Sequence, residues 1–208
     1  NSAYLFTPDG GMLARYDKIH LVPFGEYTPL KSILPFLGRV VPWESDFSPG
    51  TLPGIFKLTR PAAGNVRAGV LICYEDIFPA QVRKLVGQGA DLLVNITNDA
   101  WYGRTIAPFQ HAYAALFRAV ENRIFLARAT NTGYSCLIDP RGRIVADVAD
   151  DKGETLFISG FRTARIGLSP PGTFYTRRGD LFSWVCAALT AAAIIGCLLP
   201  PGSGKHRQ

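Results

Sequence analysis

Polar and apolar positions along the chain fall into short blocks punctuated by Gly, Pro and Asp, with one long apolar exception near the end. "NSAYLFTPDGGMLARYDKIHLVPF" reads as strand, Pro-Asp-Gly-Gly turn, strand, and the alternation in "RYDKIHLV" carries the second arm through Lys18. "NVRAGVLICYED" predicts a buried strand, and "FPAQVRKLVGQG" a short helix ending at glycines. "ADLLVNITND" predicts a second buried strand. In "PFQHAYAALFRAVENR" the residues Phe109, Tyr113, Leu116, Phe117 and Val120 fall on one helical face, which predicts an amphipathic helix with that face inward. "IFLARAT", "YSCLIDP", "RIVADV" and "TLFISG" follow as strands, with a turn at Asp139-Pro140-Arg141-Gly142. Strand–helix–strand–helix followed by a run of strands predicts a layered α/β sandwich.

The exception is "LFSWVCAALTAAAIIGCLL", residues 181–199, which carries no charge. At about 1.5 Å per residue it matches the hydrocarbon thickness of a bilayer and predicts a membrane-spanning helix. The expected organisation is one globular unit over residues 1–160, a connector over 161–180, the apolar helix over 181–199 and a polar tail over 200–208. Arg177 and Arg178 flank one end of the helix and Lys205 and Arg207 the other, so charge does not orient it. The chain opens on a hairpin arm with no lead-in, which suggests that a longer protein precedes Asn1.

Composition narrows the reading. Among 208 residues 48% are hydrophobic and only 18% charged, which excludes a disordered chain. The net charge of +6 comes from scattered Lys and Arg that form no nucleic-acid-reading signature, and an anionic lipid surface explains it as well. Four cysteines form no C-x-x-C pair and three histidines have no metal spacing, so neither a metal nor a disulfide framework is expected.

Candidate chemistry centres on "GVLICYEDIFP". A thiol at the carboxyl end of a buried strand, leading into a helix, suits a nucleophile: the turn exposes the sulfur, and the following N–H groups point at the same space. Cys73 can equally be a packed strand residue. Lys18, among Ile19, Leu21 and Val22, is costly unless it faces solvent or finds a partner. Glu26 follows eight residues later, in a turn after Gly25.

"KIHLVPFGEYTP", "CYEDIFP" and "NDAWYG" together resemble the nitrilase superfamily, and within it the membrane branch of apolipoprotein N-acyltransferases. The resemblance covers nearly the whole chain. It implies a nitrilase-like α-β-β-α sandwich, incomplete at its N-terminus, followed by one C-terminal transmembrane helix. It implies a Glu–Lys–Cys triad with Cys73 as nucleophile and Lys18 as the cation that steadies the oxyanion. The general-base Glu of that pattern lies ahead of the Lys motif, outside these residues. Glu26 and Glu75 match further family acids, Glu26 one that positions the triad, and Tyr74 is expected to lend its backbone N–H to the oxyanion hole. No cofactor is implied. The implied partners are a membrane phospholipid as acyl donor and the N-terminal S-diacylglyceryl cysteine of an apolipoprotein as acceptor. The implied setting is the bacterial inner membrane, with the catalytic part facing the periplasm. Two alternatives keep the same residues: a carbon–nitrogen hydrolase that cleaves an amide with water, and an inert membrane-tethered binding domain.

Other residues are read more loosely. Asn98 and Asp99 can cap the next element or line the pocket. Trp101 and Tyr102 can contact an acyl chain or the lipid interface, or simply pack. Arg118 and Glu121 are expected to be structural ion partners. The excursion from Thr28 to Gly50, with Leu30, Ile33, Leu34, Phe36, Leu37 and Trp43, is expected to dip into the interface as a lid.

Overall fold

The computed structural model describes residues 1–31, 33, 47–60, 64–168 and 172–198. Most of the expected lid, including Leu34, Phe36, Leu37 and Trp43, lies outside the described residues, as does the polar tail.

Two antiparallel strands, β1 (Ser2–Phe6) and β2 (Met12–Asp17), form a hairpin sheet. The six-stranded sheet has strands in sequence order: β3 (Ile55–Arg60), β4 (Gly64–Ile72), β5 (Leu92–Asn98), β6 (Leu126–Asn131), β7 (Cys136–Ile138) and β8 (Ile144–Asp147). Its central pairs β4–β5 and β5–β6 are parallel and the flanking pairs antiparallel. The parallel pairs need crossovers, supplied by α1 (Pro79–Gly87) and α2 (Ala107–Asn122). Pro79 opens α1 where its missing N–H costs nothing.

The period of two along β4 separates two cores. Ala68, Val70 and Ile72 face the hairpin sheet, where they meet Ala3 and Tyr16, with Phe56 of β3 in the same cluster. Leu71 faces the helices with Val82, Leu85, Leu93 and Leu126. Gly54 lets the chain cross the Tyr16 ring, since a Cβ there would fall 2.6 Å from it. The layers are helices, six-stranded sheet and hairpin sheet, in the order expected of the sandwich.

Several expectations need correction. The second arm of the hairpin stops at Asp17, so Lys18 lies just beyond the strand, not within it. "TLFISG" forms no strand. The inner face of α2 is small: Ala112, Ala115 and Ala119 are buried with His111 and Arg118, while Tyr113 and Phe117 are half exposed or more. Alanines let the helix axis approach the sheet, and the aromatics are displaced to the flank. Within the expected connector, α3 (Phe174–Arg178) docks on the helix layer. Thr176 Oγ1 donates to Asn122 Oδ1 at 3.0 Å, and Arg83 Nη1 reaches the Thr176 carbonyl at 3.4 Å. Beyond it α4 (Leu181–Leu198) projects with none of its residues buried, long and apolar enough to cross a membrane.

Candidate active site

The site lies at the carboxyl ends of β4 and β5, between the two sheets, where open α/β sheets usually bind ligands. A cavity of about 510 Å3 is lined by Cys73, Glu26, Asn98 and Trp101 together with Gly25, Phe47, Ile72, Ile96 and Thr97. Four residues singled out from the sequence thus share one opening.

Cys73 begins a 3-10 turn over Cys73–Ile77 and adopts φ +55°. A left-handed conformation is costly for a residue with a Cβ, and such strain collects at functional sites. Asn95, buried on β5, holds the bend by donating from Nδ2 to the Cys73 carbonyl at 2.8 Å. The thiol is partly exposed, at the rim of the cavity.

Lys18 is 1% exposed. A buried ammonium demands a counter-charge, and Nζ donates to Glu26 Oε1 at 2.9 Å and Oε2 at 2.8 Å. Glu26 also accepts from the Val22 N–H at 2.8 Å and from the Asn1 amide. The Lys18 ammonium lies 5.1 Å from the centre of the Tyr74 ring, a cation–π contact, and the Tyr74 hydroxyl donates to the Leu21 carbonyl at 2.7 Å. Lys18 and Glu26 are therefore one unit, and the residue after Cys73 covers it.

Glu75 sits behind this unit, wholly buried and outside the cavity lining. Its carboxylate accepts from the N–H groups of Ile19 (2.8 Å), His20 (3.1 Å) and Ile72 (2.8 Å), and from the Tyr16 hydroxyl at 2.9 Å. Burial first, then the neighbouring charge of Glu75, raises the Tyr16 pKa well above that of an ordinary phenol. Gln81 continues the network, donating to Tyr16 at 3.0 Å and contacting His20 Nδ1 at 2.6 Å. Glu75 thus ties the backbone that follows Lys18 to the end of β4.

Asn98 lines the cavity, and its Oδ1 accepts from the Ala100 N–H at 3.2 Å, while Asp99, the N-cap of the following turn, makes no side-chain cap bond. Trp101 is 69% exposed at the cavity mouth, while Tyr102 turns its ring edge-on to His111, 6.1 Å between centres. Arg118 and Glu121 pair at 2.5 Å, as expected, and Arg118 also donates to the Ile77 carbonyl at 2.9 Å.

Sequence reasoning missed a buried charge cluster beside the site. Arg128 on β6 donates to Asp76 Oδ2 and, at 3.0 Å, to Asp99 Oδ2. His111 on α2 faces the other oxygens of the same carboxylates, Nδ1 to Asp99 Oδ1 at 2.9 Å and Nε2 to Asp76 Oδ1 at 3.0 Å. One signal was available: Arg128 shares a face of β6 with the buried Leu126, where an unpartnered charge is too costly to keep. Among the described residues no group of His, Cys, Asp and Glu is arranged to hold a metal ion.

The chain matches the carbon-nitrogen hydrolase family over residues 1–169. The apolipoprotein N-acyltransferase of Geobacter metallireducens is 44% identical over 209 residues, covering 100% of this chain and 37% of the relative. That of Bdellovibrio bacteriovorus is 38% identical over 199 residues, covering 94% of this chain and 35% of the relative. The chain thus spans little more than a third of the length of these curated relatives. The solved structure of an amidase from Nesterenkonia sp. is 26% identical, covers 71% of this chain and 50% of that one, and superposes with a TM-score of 0.49. The resemblance carried by the Lys18, Cys73 and Asn98–Gly103 motifs is borne out, and the chain belongs to the carbon-nitrogen hydrolase family.

Proposed function

We propose that this chain is the catalytic part of a membrane-anchored N-acyltransferase that moves an acyl group from a phospholipid to the N-terminal S-diacylglyceryl cysteine of apolipoproteins. The observation that carries the proposal is the buried Lys18–Glu26 pair set beside the Cys73 elbow, with Glu26 and Cys73 on one cavity.

In the first step the Cys73 thiolate attacks an ester carbonyl of the phospholipid. The carbonyl oxygen becomes an oxyanion, and Lys18, with the Tyr74 N–H, stabilises it. An ammonium has three N–H donors, and the two contacts to Glu26 hold it without exhausting it. Collapse of the intermediate breaks the C–O bond, releases the lysophospholipid with a proton, and leaves a thioester on Cys73. In the second step the α-amine of the acceptor cysteine attacks the thioester, the C–N bond forms, and the thiolate leaves. A general base takes the proton from the thiol and then from the attacking amine. Glu26 orients Lys18, and Glu75 orients the backbone that carries it; neither is the base. Trp101 and Asn98 line the path of substrate.

The relatives' name and the exposed apolar helix α4 support a membrane setting. The proposed placement of the catalytic part is the periplasmic side of the bacterial inner membrane. Anchoring keeps two lipid substrates at high effective concentration and avoids extracting them into water.

The test uses the whole gene product in vesicles with phospholipid carrying a labelled acyl chain. The expected result is label on Cys73 as a hydroxylamine-sensitive thioester, transferred to an added S-diacylglyceryl cysteinyl peptide. Free fatty acid with no peptide acylation would identify a hydrolase. No label on Cys73 would mean a binding domain.

A further inference from the structure

Asp76, Asp99, His111 and Arg128 come from four different elements, and none is more than 7% exposed. Asp76 lies in the turn that Cys73 begins, and Asp99 precedes the Ala100–Tyr102 turn. His111 lies on α2 and Arg128 on β6. Each of the four carboxylate oxygens faces a nitrogen of Arg128 or His111, and the two from Arg128 are donors.

We propose that His111, held as the imidazolium, is a positioning residue that closes this ring at zero net charge and so locks the Cys73 elbow against the Asn98–Trp101 loop. The proposal rests on reading Cys73 as the nucleophile.

Both ring nitrogens of His111 point at carboxylate oxygens, at 2.9 and 3.0 Å. A neutral imidazole has only one N–H, so one nitrogen would aim a lone pair at an anion. Two aspartates and one arginine sum to a buried charge of −1, and the second proton on His111 removes it. Burial alone pushes a histidine down, but the bonds to Asp76 and Asp99 raise His111 above its ordinary value. The groups facing it are Asp76 from the 3-10 turn, Asp99 from just past β5, Arg128 from β6 and the ring of Tyr102 from the following turn.

The sign follows. A histidine raised in the folded state contributes stability that is complete below about pH 6.5, its unfolded value, and disappears as pH rises through the folded value. As pH rises through the folded value the ring that positions Cys73 loosens, so the ring sets an alkaline limit on turnover.

The first experiment is 15N NMR of the histidine-labelled whole gene product in detergent micelles, with His111 assigned by its loss in His111→Gln. Both ring nitrogens of His111 should carry protons at pH 7.5, where an ordinary histidine is mostly neutral. A neutral tautomer at that pH overturns the proposal. The second is a charge-balance cycle of His111→Gln, Asp99→Asn and the double variant. Iodoacetamide labelling of Cys73 at pH 7.5 reports its thiolate. His111→Gln leaves the ring at −1, so labelling should slow and thioester formation fall on the order of 10²-fold. The double variant returns the ring to zero and should recover part of both. Native rates in His111→Gln, or a double variant no better than His111→Gln, overturn the charge-balance role. If no protein forms a thioester, the acyltransferase reading fails, while the NMR and labelling results still decide the ring.

Discussion

Replacing Glu75 by Gln keeps its shape and removes one acceptor. Every contact to the Glu75 carboxylate comes from a donor: Ile19 and His20 N–H at Oε1, Ile72 N–H at Oε2, and the Tyr16 hydroxyl at both. Whichever way a Gln amide is turned, its NH2 faces at least one backbone N–H. Turned toward Ile72 it loses one charge-assisted bond; turned toward the loop it loses two. The Tyr16 oxygen cannot easily reverse its role, because it already accepts from Gln81 at 3.0 Å. A lost bond to a charged acceptor contributes about 1.5–3 kcal/mol, and an orphaned buried N–H costs roughly 1–3 kcal/mol more. The expected destabilisation is therefore about 3 kcal/mol or more. At roughly 2–4 °C per kcal/mol for a domain of this size, Tm should fall by about 6–12 °C in detergent-solubilised protein. Thioester formation should fall at temperatures where the fold survives, because the released backbone follows directly on Lys18. A Glu75→Gln protein within about 1 kcal/mol of the native one, measured by urea unfolding, would refute this account of Glu75 as the clamp behind Lys18.

Three further outcomes follow from the same geometry. Glu26→Gln leaves the Lys18 ammonium buried without a counter-charge; breaking such a pair costs about 3–5 kcal/mol, so thermal unfolding and acyl-enzyme trapping should both show a severe loss. Burial pushes the Cys136 thiol up to about 11, whereas Cys73 is partly exposed, so iodoacetamide at pH 8, followed by peptide mapping, should label Cys73 well ahead of Cys136. At the Asp139 turn burial alone would raise the carboxyl, but the N–H groups of Arg143 and Arg141 and the Arg143 guanidinium hold it below the ordinary range. That contribution is present above about pH 3.9 and lost as pH falls through the folded value, so Asp139→Asn should flatten the acid limb of stability, as read by urea unfolding across the acid range.

Local pattern was enough to place β4, β5 and both crossover helices, because buried parallel strands carry apolar runs and each helix has a proline in its first turn. It misjudged the inner face of α2, since a helical wheel weighs Phe117 above Ala115 while the spacing between helix and sheet selects the smaller residue. Cys73 was legible because a strand-end thiol followed by a turn has a local signature. Lys18 stands out in the sequence because a charge among Ile19, Leu21 and Val22 needs a partner or solvent. What local sequence determined, then, was the set of elements, the apolar helix α4 and the residue types able to do the chemistry. Only the tertiary structure decided that Glu75 faces away from the cavity and Glu26 into it, and that Asp76, Asp99, His111 and Arg128 meet. Those facts depend on contacts between distant parts of the chain, such as the one across 56 residues between Ile19 and Glu75, and burial then makes each charge require a partner that no local pattern specifies.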